Sequence, residues 1–109
     1  MKKENWIWMP HPAHFIASSS CRFVLATYVG KYIVSTVGEY VPKHRQNEGF
    51  EDIGANRKYE TMVFKAEKSE DKCCPYRIIV QDEVDFEPYN EAGDARRGHM
   101  RLCNKWNKL

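Results

Sequence analysis

The apolar residues of this chain occur in short blocks rich in β-branched and aromatic side chains, a composition typical of strands. The first long blocks are CRFVLATYV at 21–29 and KYIVSTV at 31–37. Gly30-Lys31 lies at their junction, and a Gly-X pair suits the first central position of a type II′ turn. The pattern therefore predicts a β-hairpin over about 21–37.

Three more blocks have strand character and are separated by prolines, glycines or charged runs. They are NWIWM at 5–9, YETMVFKA at 59–66 and YRIIVQDEVDF at 76–86. The polar segment between 43 and 58 contains Gly49 and Gly54 and is predicted to be an exposed loop. The blocks together predict an antiparallel sheet of about four or five strands.

The end of the chain has the spacing of an amphipathic helix. We predict Asp94 as its N-cap, because aspartate accepts hydrogen bonds from the first turn. From there the stripe recurs at steps of four and three: Ala95, His99, Leu102, Trp106 and Leu109. Gly98 interrupts this helix and costs it about 1 kcal/mol. A sheet with one C-terminal helix packed on it is an α+β fold, and 109 residues are typical of one domain.

Charge divides the end of the chain into an acidic and a basic part. The net charge of +2 is nearly balanced, which argues against a dedicated nucleic-acid-binding protein. However, residues 82–94 contain acids and no Lys or Arg, whereas residues 96–108 contain Lys and Arg and no acid. This asymmetry predicts two neighbouring surfaces of opposite sign.

The chain has no apolar run near the roughly 20 residues that a membrane-spanning helix needs. The apolar segment at its start is also too short for a signal peptide. We therefore expect a cytoplasmic protein that does not bind membranes and whose cysteines stay reduced.

Four residues are candidate zinc ligands: His14, Cys21, His99 and Cys103. His99 and Cys103 are spaced i, i+4, which places both on one helix face. The spacing of the other pair is longer than zinc sites usually have, and His11 could replace His14. The alternative is that His99 is a satisfied core histidine and Cys103 a small buried apolar residue. One structural zinc ion is thus a possible cofactor.

The acidic segment is a candidate partner-binding surface. Alternating carboxylates with aromatic anchors suit a basic protein surface of the kind that otherwise holds nucleic acid. The candidate residues are Asp82, Glu83, Asp85, Phe86, Glu87, Tyr89 and Glu91. The alternative is that this segment pairs with the basic helix of its own chain.

The basic helix is a candidate nucleic-acid-binding surface, with cations for phosphates and an indole for base stacking. The residues concerned are Arg96, Arg97, Arg101, Lys105 and Trp106. The alternative is an ordinary solvated helix face. A zinc-stabilised nucleic-acid-binding module is therefore the second functional hypothesis.

Enzymatic chemistry has little support in the sequence. Cys21 or Cys103 with His14 or His99 could form a nucleophilic pair, but no local signature supports one. No phosphate-binding loop or dinucleotide-binding glycine pattern occurs. We expect a protein that is not an enzyme.

Five segments spread over most of the chain are WMPHPAHFI, CRF, YIVSTVGEY, KYETMVF and YNEAGDARRGH. Together they resemble a group of small, mostly uncharacterised proteins encoded by bacteriophages and prophages. The resemblance implies a phage context, where small accessory proteins often inhibit host defence systems, anti-CRISPR proteins among them. Such inhibitors usually bind without catalysis. The leading hypothesis is therefore a phage protein that binds and inhibits a host defence nuclease or its ribonucleoprotein complex.

Overall fold

The computed structural model of the chain describes residues 6–9, 21–40, 58–70 and 75–108. Within these ranges the fold is α+β, as the sequence predicts, with one antiparallel sheet and one C-terminal helix. The loop predicted over 43–58 lies outside the described residues apart from Lys58. The elements are β1 (Ile7–Trp8), β2 (Cys21–Val29), β3 (Tyr32–Tyr40), β4 (Tyr59–Lys68), β5 (Tyr76–Tyr89) and α1 (Ala92–Asn107).

The described strands pair in chain order, β1-β2-β3-β4-β5, so each lies beside the next one in the sequence. The predicted hairpin is confirmed, since β2 and β3 pair up to Val29↔Tyr32 around the turn. Gly30 has a φ of 58°, which the first central position of a type II′ turn requires. Strand β5 continues beyond the predicted end at 86 and runs through Pro88 to Tyr89.

The central strand β3 is buried on both sides of the sheet. Val34 and Thr36 face α1, whereas Ile33, Ser35 and Val37 point to the opposite side because side chains alternate along a strand. All of these side chains are 0% exposed. The YIVSTVGEY segment therefore belongs mainly to the core.

The sheet coils strongly at the β4–β5 hairpin. Tyr28 of β2 and Tyr76 of β5 stack with ring centroids 3.8 Å apart and planes within 6°. These strands are three positions apart, which is about 14 Å in a flat sheet. The pairing of β4 with β5 shifts on either side of Phe64, and such irregularities bend a sheet. The start of β5 therefore folds over the sheet face opposite α1.

The helix begins earlier than the sequence predicts. Glu91 is the N-cap residue, with an extended backbone and no side-chain capping hydrogen bond. Asp94 lies inside the first turn, where its Oδ1 accepts a hydrogen bond from Arg97 at 2.5 Å. The prediction of Asp94 as the N-cap is therefore wrong, although its charge still suits the positive end of the helix dipole.

The predicted stripe of α1 faces the sheet. Ala95, His99 and Leu102 are buried, and Trp106 packs at the edge of the same cluster. Leu109 lies outside the described residues. None of the helical structure in the described ranges is long and apolar enough to cross a membrane.

Gly98 allows α1 to approach the end of β5 closely. A Cβ atom at this position would overlap the ring and hydroxyl of Tyr89. The glycine therefore weakens the helix locally but provides the space in which Tyr89 packs.

Gly98→Ala should destabilise the protein by about 1–3 kcal/mol, the usual cost of overpacking, although alanine is the better helix former. Gly93→Ala is the matched control, because its Cβ would meet the flexible end of Arg97 at 3.3 Å. That control should stabilise the helix by up to about 1 kcal/mol. Urea unfolding measures both changes, and equal effects would contradict the close contact between Tyr89 and α1.

Candidate functional site

The polar centre of the core is a row of side chains around His99, which is 0% exposed. Its Nε2 lies 2.8 Å from Oγ1 of Thr27 on β2, and its Nδ1 lies 2.7 Å from Oγ1 of Thr36 on β3. The Thr36 hydroxyl lies 2.5 Å from the hydroxyl of Thr61 on β4. One helix side chain is thus linked through hydroxyl groups to three adjacent strands.

The donors and acceptors of this row can all be satisfied by a neutral imidazole. In either tautomer one ring nitrogen donates to its threonine hydroxyl and the other accepts from its threonine hydroxyl. The hydroxyls of Thr36 and Thr61 share a further hydrogen bond, in which either oxygen can be the donor. A satisfied network of this kind rigidifies a core and defines one arrangement of its elements.

Because they are buried, the side chains of His99 and Cys103 stay uncharged at neutral pH. Burial lowers the pKa of His99 to about 4, because an imidazolium here would lose its hydration. Burial raises the pKa of Cys103 to about 12, against a smaller lowering by the Thr27 hydroxyl. A nucleophilic cysteine needs a thiolate and access to substrate. Cys103 is a fully buried thiol.

The structure brings two of the predicted zinc ligands together. His99 and Cys103 are both buried on the side of α1 that faces the sheet, and His99 bonds to the Thr27 hydroxyl. His14 lies outside the described residues, and Cys21 begins β2. Over residues 6–9, 21–40, 58–70 and 75–108, no group of three or more His, Cys, Asp or Glu side chains could hold a metal. The zinc site stays a prediction.

Trp8 covers the outer side of the buried imidazole. Strand β1 places it opposite Thr27, and its ring centroid lies 5.5 Å from that of His99. The indole is 50% exposed, so one side meets the imidazole and the other meets solvent. The edge strand thus shields the network from water.

Asp85 and Glu87 of β5 point toward the helix. Oδ2 of Asp85 accepts hydrogen bonds from Trp106 Nε1–H at 2.9 Å and Lys105 Nζ at 3.0 Å. Burial raises the pKa of Asp85, but the donors of Trp106 and Lys105 together lower it below its ordinary value. Glu87 forms an ion pair with Arg101. These two predicted partner-binding residues therefore bind the helix of their own chain.

Tyr89 is also used internally. It is 9% exposed and packs with Ala95 and Tyr59. Its hydroxyl donates to Oε1 of Glu87 at 2.8 Å. This residue, predicted as an anchor for a partner, is part of the core because Gly98 leaves room for it.

Glu83 and Phe86 lie on the other side of β5. They pair with Phe64 and Met62 of β4, which alternate with the helix-facing Val63. Phe86 is 42% exposed and Glu83 is exposed. Burial raises the pKa of Glu60 on β4, and the negative charge of Glu83 raises it further.

The residues of the predicted acidic surface are therefore split between the two sides of β5. One group, Asp85, Glu87 and Tyr89, contacts the helix or the core. The other group remains at the surface: Glu83, Phe86 and Glu91, with Asp82 half-buried beside them.

Most of the predicted nucleic-acid-binding cations are ion-paired with acids of the same chain. Arg97 pairs with Asp94, and the other pairs are Arg101 with Glu87 and Lys105 with Asp85. Trp106 donates to Asp85 and packs edge-on against Tyr32 at 4.8 Å between centroids. Arg96 is exposed. These pairs reduce the positive charge that the helix offers to phosphates.

An open groove of about 510 Å³ lies between the end of β5 and the start of α1. Its walls include Arg97 and Arg101, each paired with an acid of the same groove. The groove therefore carries charges of both signs in close pairs.

Comparisons with protein-family models, curated proteins and solved structures found no match to this chain.

The sequence did not reveal the threonine residues that hold His99. Thr27, Thr36 and Thr61 are strand residues of ordinary β propensity, and nothing local marks their hydroxyls as buried. The available signal was a histidine on the apolar stripe of a helix, since a buried imidazole requires partners from whatever it packs against.

The network predicts a specific loss of stability in acid. In the unfolded chain His99 has a pKa near 6.5, whereas folding lowers it to about 4. The unfolded state therefore binds an extra proton between these values, and stability should fall by on the order of 3 kcal/mol as pH drops from about 6.5 to 4.

Urea unfolding of wild type and His99→Gln across this range isolates the effect, since all other titrating groups are shared. We expect the variant to be less stable at pH 7 but to lose less stability on acidification. Equal pH dependence in the two proteins would show that His99 is not buried as a neutral imidazole.

Proposed function

We propose that this chain is a non-enzymatic phage or prophage protein that inhibits a host defence nuclease complex in the bacterial cytoplasm, as anti-CRISPR proteins do. The phage context rests on the resemblance of several sequence segments. The binding surface is the side of β5 that faces away from α1, centred on Phe86 and Glu83. We call this the outward face of β5.

The exposure of Phe86 carries the proposal. Phe86 is 42% exposed, and phenylalanine is enriched in the contact surfaces of protein complexes. Its acidic neighbours include Glu83 on the same side, and no Lys or Arg occurs from 82 to 94. An aromatic anchor surrounded by carboxylates fits a basic surface with an apolar pocket.

Nuclease complexes present such surfaces, because they hold nucleic acid through Lys and Arg contacts to phosphates. Charge complementarity would orient the small acidic surface on the basic channel and speed its association. Occupation of the channel would exclude the nucleic acid, so inhibition would need no catalytic residue.

The ion pairs of α1 favour this proposal over direct nucleic-acid binding. Phosphates would have to compete with Asp85, Glu87 and Asp94 for the helix cations. These carboxylates lie within the same chain and are present at a high effective concentration. A zinc-stabilised nucleic-acid-binding module is therefore the weaker candidate.

The outward face also indicates which residues to change. From sequence alone, charge reversal at Asp85 and Glu87 is the obvious test, but both residues bind α1. Reversal there would weaken the fold as well as the surface. Glu83 and Phe86 are exposed, so their replacement separates binding from stability.

The double variant Glu83→Lys/Phe86→Ala should lose inhibition by at least about tenfold, because it removes the anchor and reverses a charge. The measurement is affinity capture from the lysate of a phage-susceptible host, followed by DNA cleavage by the captured complex with increasing amounts of each protein. Unchanged urea unfolding would show that the variant is folded.

Glu70→Lys is the matched control, since Glu70 is an exposed acid beyond the end of β4 and away from Phe86. It should inhibit like wild type. Full inhibition by the double variant would rule out the outward face as the interface. A wild-type protein that captures no nuclease complex and leaves cleavage unchanged would contradict the inhibitor function itself.

A further inference from the structure

In the described part of the chain, β5 is the last strand of the sheet, so one row of its backbone groups faces away from β4. Such an edge commonly accepts another strand, either from a partner or from a second copy. An extended basic segment would then be the natural ligand of this acidic strand. Two features near Phe86 oppose that mode of binding.

Pro88 removes one outward donor. It pairs with Glu60 in a regular register that runs from Tyr59↔Tyr89 to Val63↔Asp85. A proline fits such a ladder where its missing N–H would point away from the neighbouring strand. Hydrogen-bonded and non-hydrogen-bonded pairs alternate, so the N–H of Phe86, two residues earlier, also points outward.

Asp85 occupies that second donor. The backbone N–H of Phe86 donates to Oδ1 of Asp85 at 2.9 Å. The other carboxylate oxygen is fixed by Lys105 and Trp106 of α1. The helix therefore holds the carboxylate in the position that caps the Phe86 N–H.

Toward the start of β5, irregular pairing with β4 also makes the edge less able to accept another strand. The register shifts between Val63 and Phe64 and again between Phe64 and Ala66. An added strand needs a regular row of donors and acceptors, and such irregularities interrupt it. The pairing is regular again only over the three pairs from Ala66↔Ile78 to Lys68↔Tyr76, so the longest regular part of the edge is the part that Pro88 and Asp85 close.

We infer that the partner of this chain contacts β5 through side chains alone and presents a folded basic surface, not an extended segment that adds a strand. The inference rests on the proposed function and specifies its partner. Phe86 inserts into an apolar pocket of the folded surface, and Glu83 faces the cations beside the pocket. The same closure prevents two copies of this chain from pairing through β5.

The test removes the two features that block the edge of β5 and then adds a peptide that can pair with this edge as a strand. Pro88→Val restores one donor, and Asp85→Ala releases the N–H of Phe86. The probe is a short peptide of alternating lysine and valine, and NMR reports binding and the hydrogen exchange of the Phe86 amide. The double variant should bind the peptide at least about tenfold more tightly than wild type and slow that exchange.

Lys105→Ala is the control for the lost helix contact, since it removes a bond to Asp85 but leaves the Phe86 N–H capped. It should not bind the peptide as a strand. If the double variant does not fold, Pro88→Val alone should show a smaller gain in the same direction.

Slowed exchange of the Phe86 amide in wild type with the peptide would overturn the inference. Failure of the opened, folded variants to bind would also overturn it, because the edge would then be closed by something else. Either result leaves the inhibition assay with Glu83→Lys/Phe86→Ala as an independent test of the proposed function.

Discussion

The hydrogen bonds from His99 to Thr27 and Thr36 determine how the helix lies on the sheet. Both nitrogens of the imidazole need partners in the plane of the ring, so few rotations and translations of α1 satisfy them together. Gly98 supplies the space for the neighbouring Tyr89, and Cys103 packs in the apolar core one turn after His99. A helix fixed in this way places Arg101 and Lys105 beside β5, where they meet its acids.

Because α1 covers one side of β5, the acidic residues of this strand have two different roles. Asp85 and Glu87 pair with Lys105 and Arg101 of α1, and Asp85 also caps the backbone of Phe86. Glu83 and Phe86 point the other way and remain exposed. Alternation along β5 separates Phe86 from Asp85 and Glu87. The register shift between Val63 and Phe64 places Glu83 on the side of Phe86, although Glu83 lies only two residues before Asp85. The proposed inhibitor surface is smaller than the acidic segment as a whole.

Local chemistry was sufficient to predict most of the fold. The Gly30-Lys31 turn, the alternating strands and the helical stripe through Ala95, His99 and Leu102 depend on neighbours in the sequence, and all are present. The N-cap was misplaced because Asp94 pairs with Arg97 inside the first turn. The division of the acidic segment could not be predicted, since it depends on which side of β5 the helix covers. The three threonine residues of the network around His99 come from three separate strands, so no sequence spacing relates them.

The most direct test of this account is an NMR measurement of the His99 ring nitrogens as a function of pH. A buried imidazole with both nitrogens hydrogen-bonded to the hydroxyls of Thr27 and Thr36 should stay neutral and in a single tautomer from pH 7 down to about pH 5, because its pKa is lowered to about 4. The two nitrogens should therefore show separate signals, one protonated and one not, over that range. A His99 that titrates near pH 6.5 with averaged tautomers would show that α1 does not pack in this register, and the assignment of the faces of β5 would fail with it.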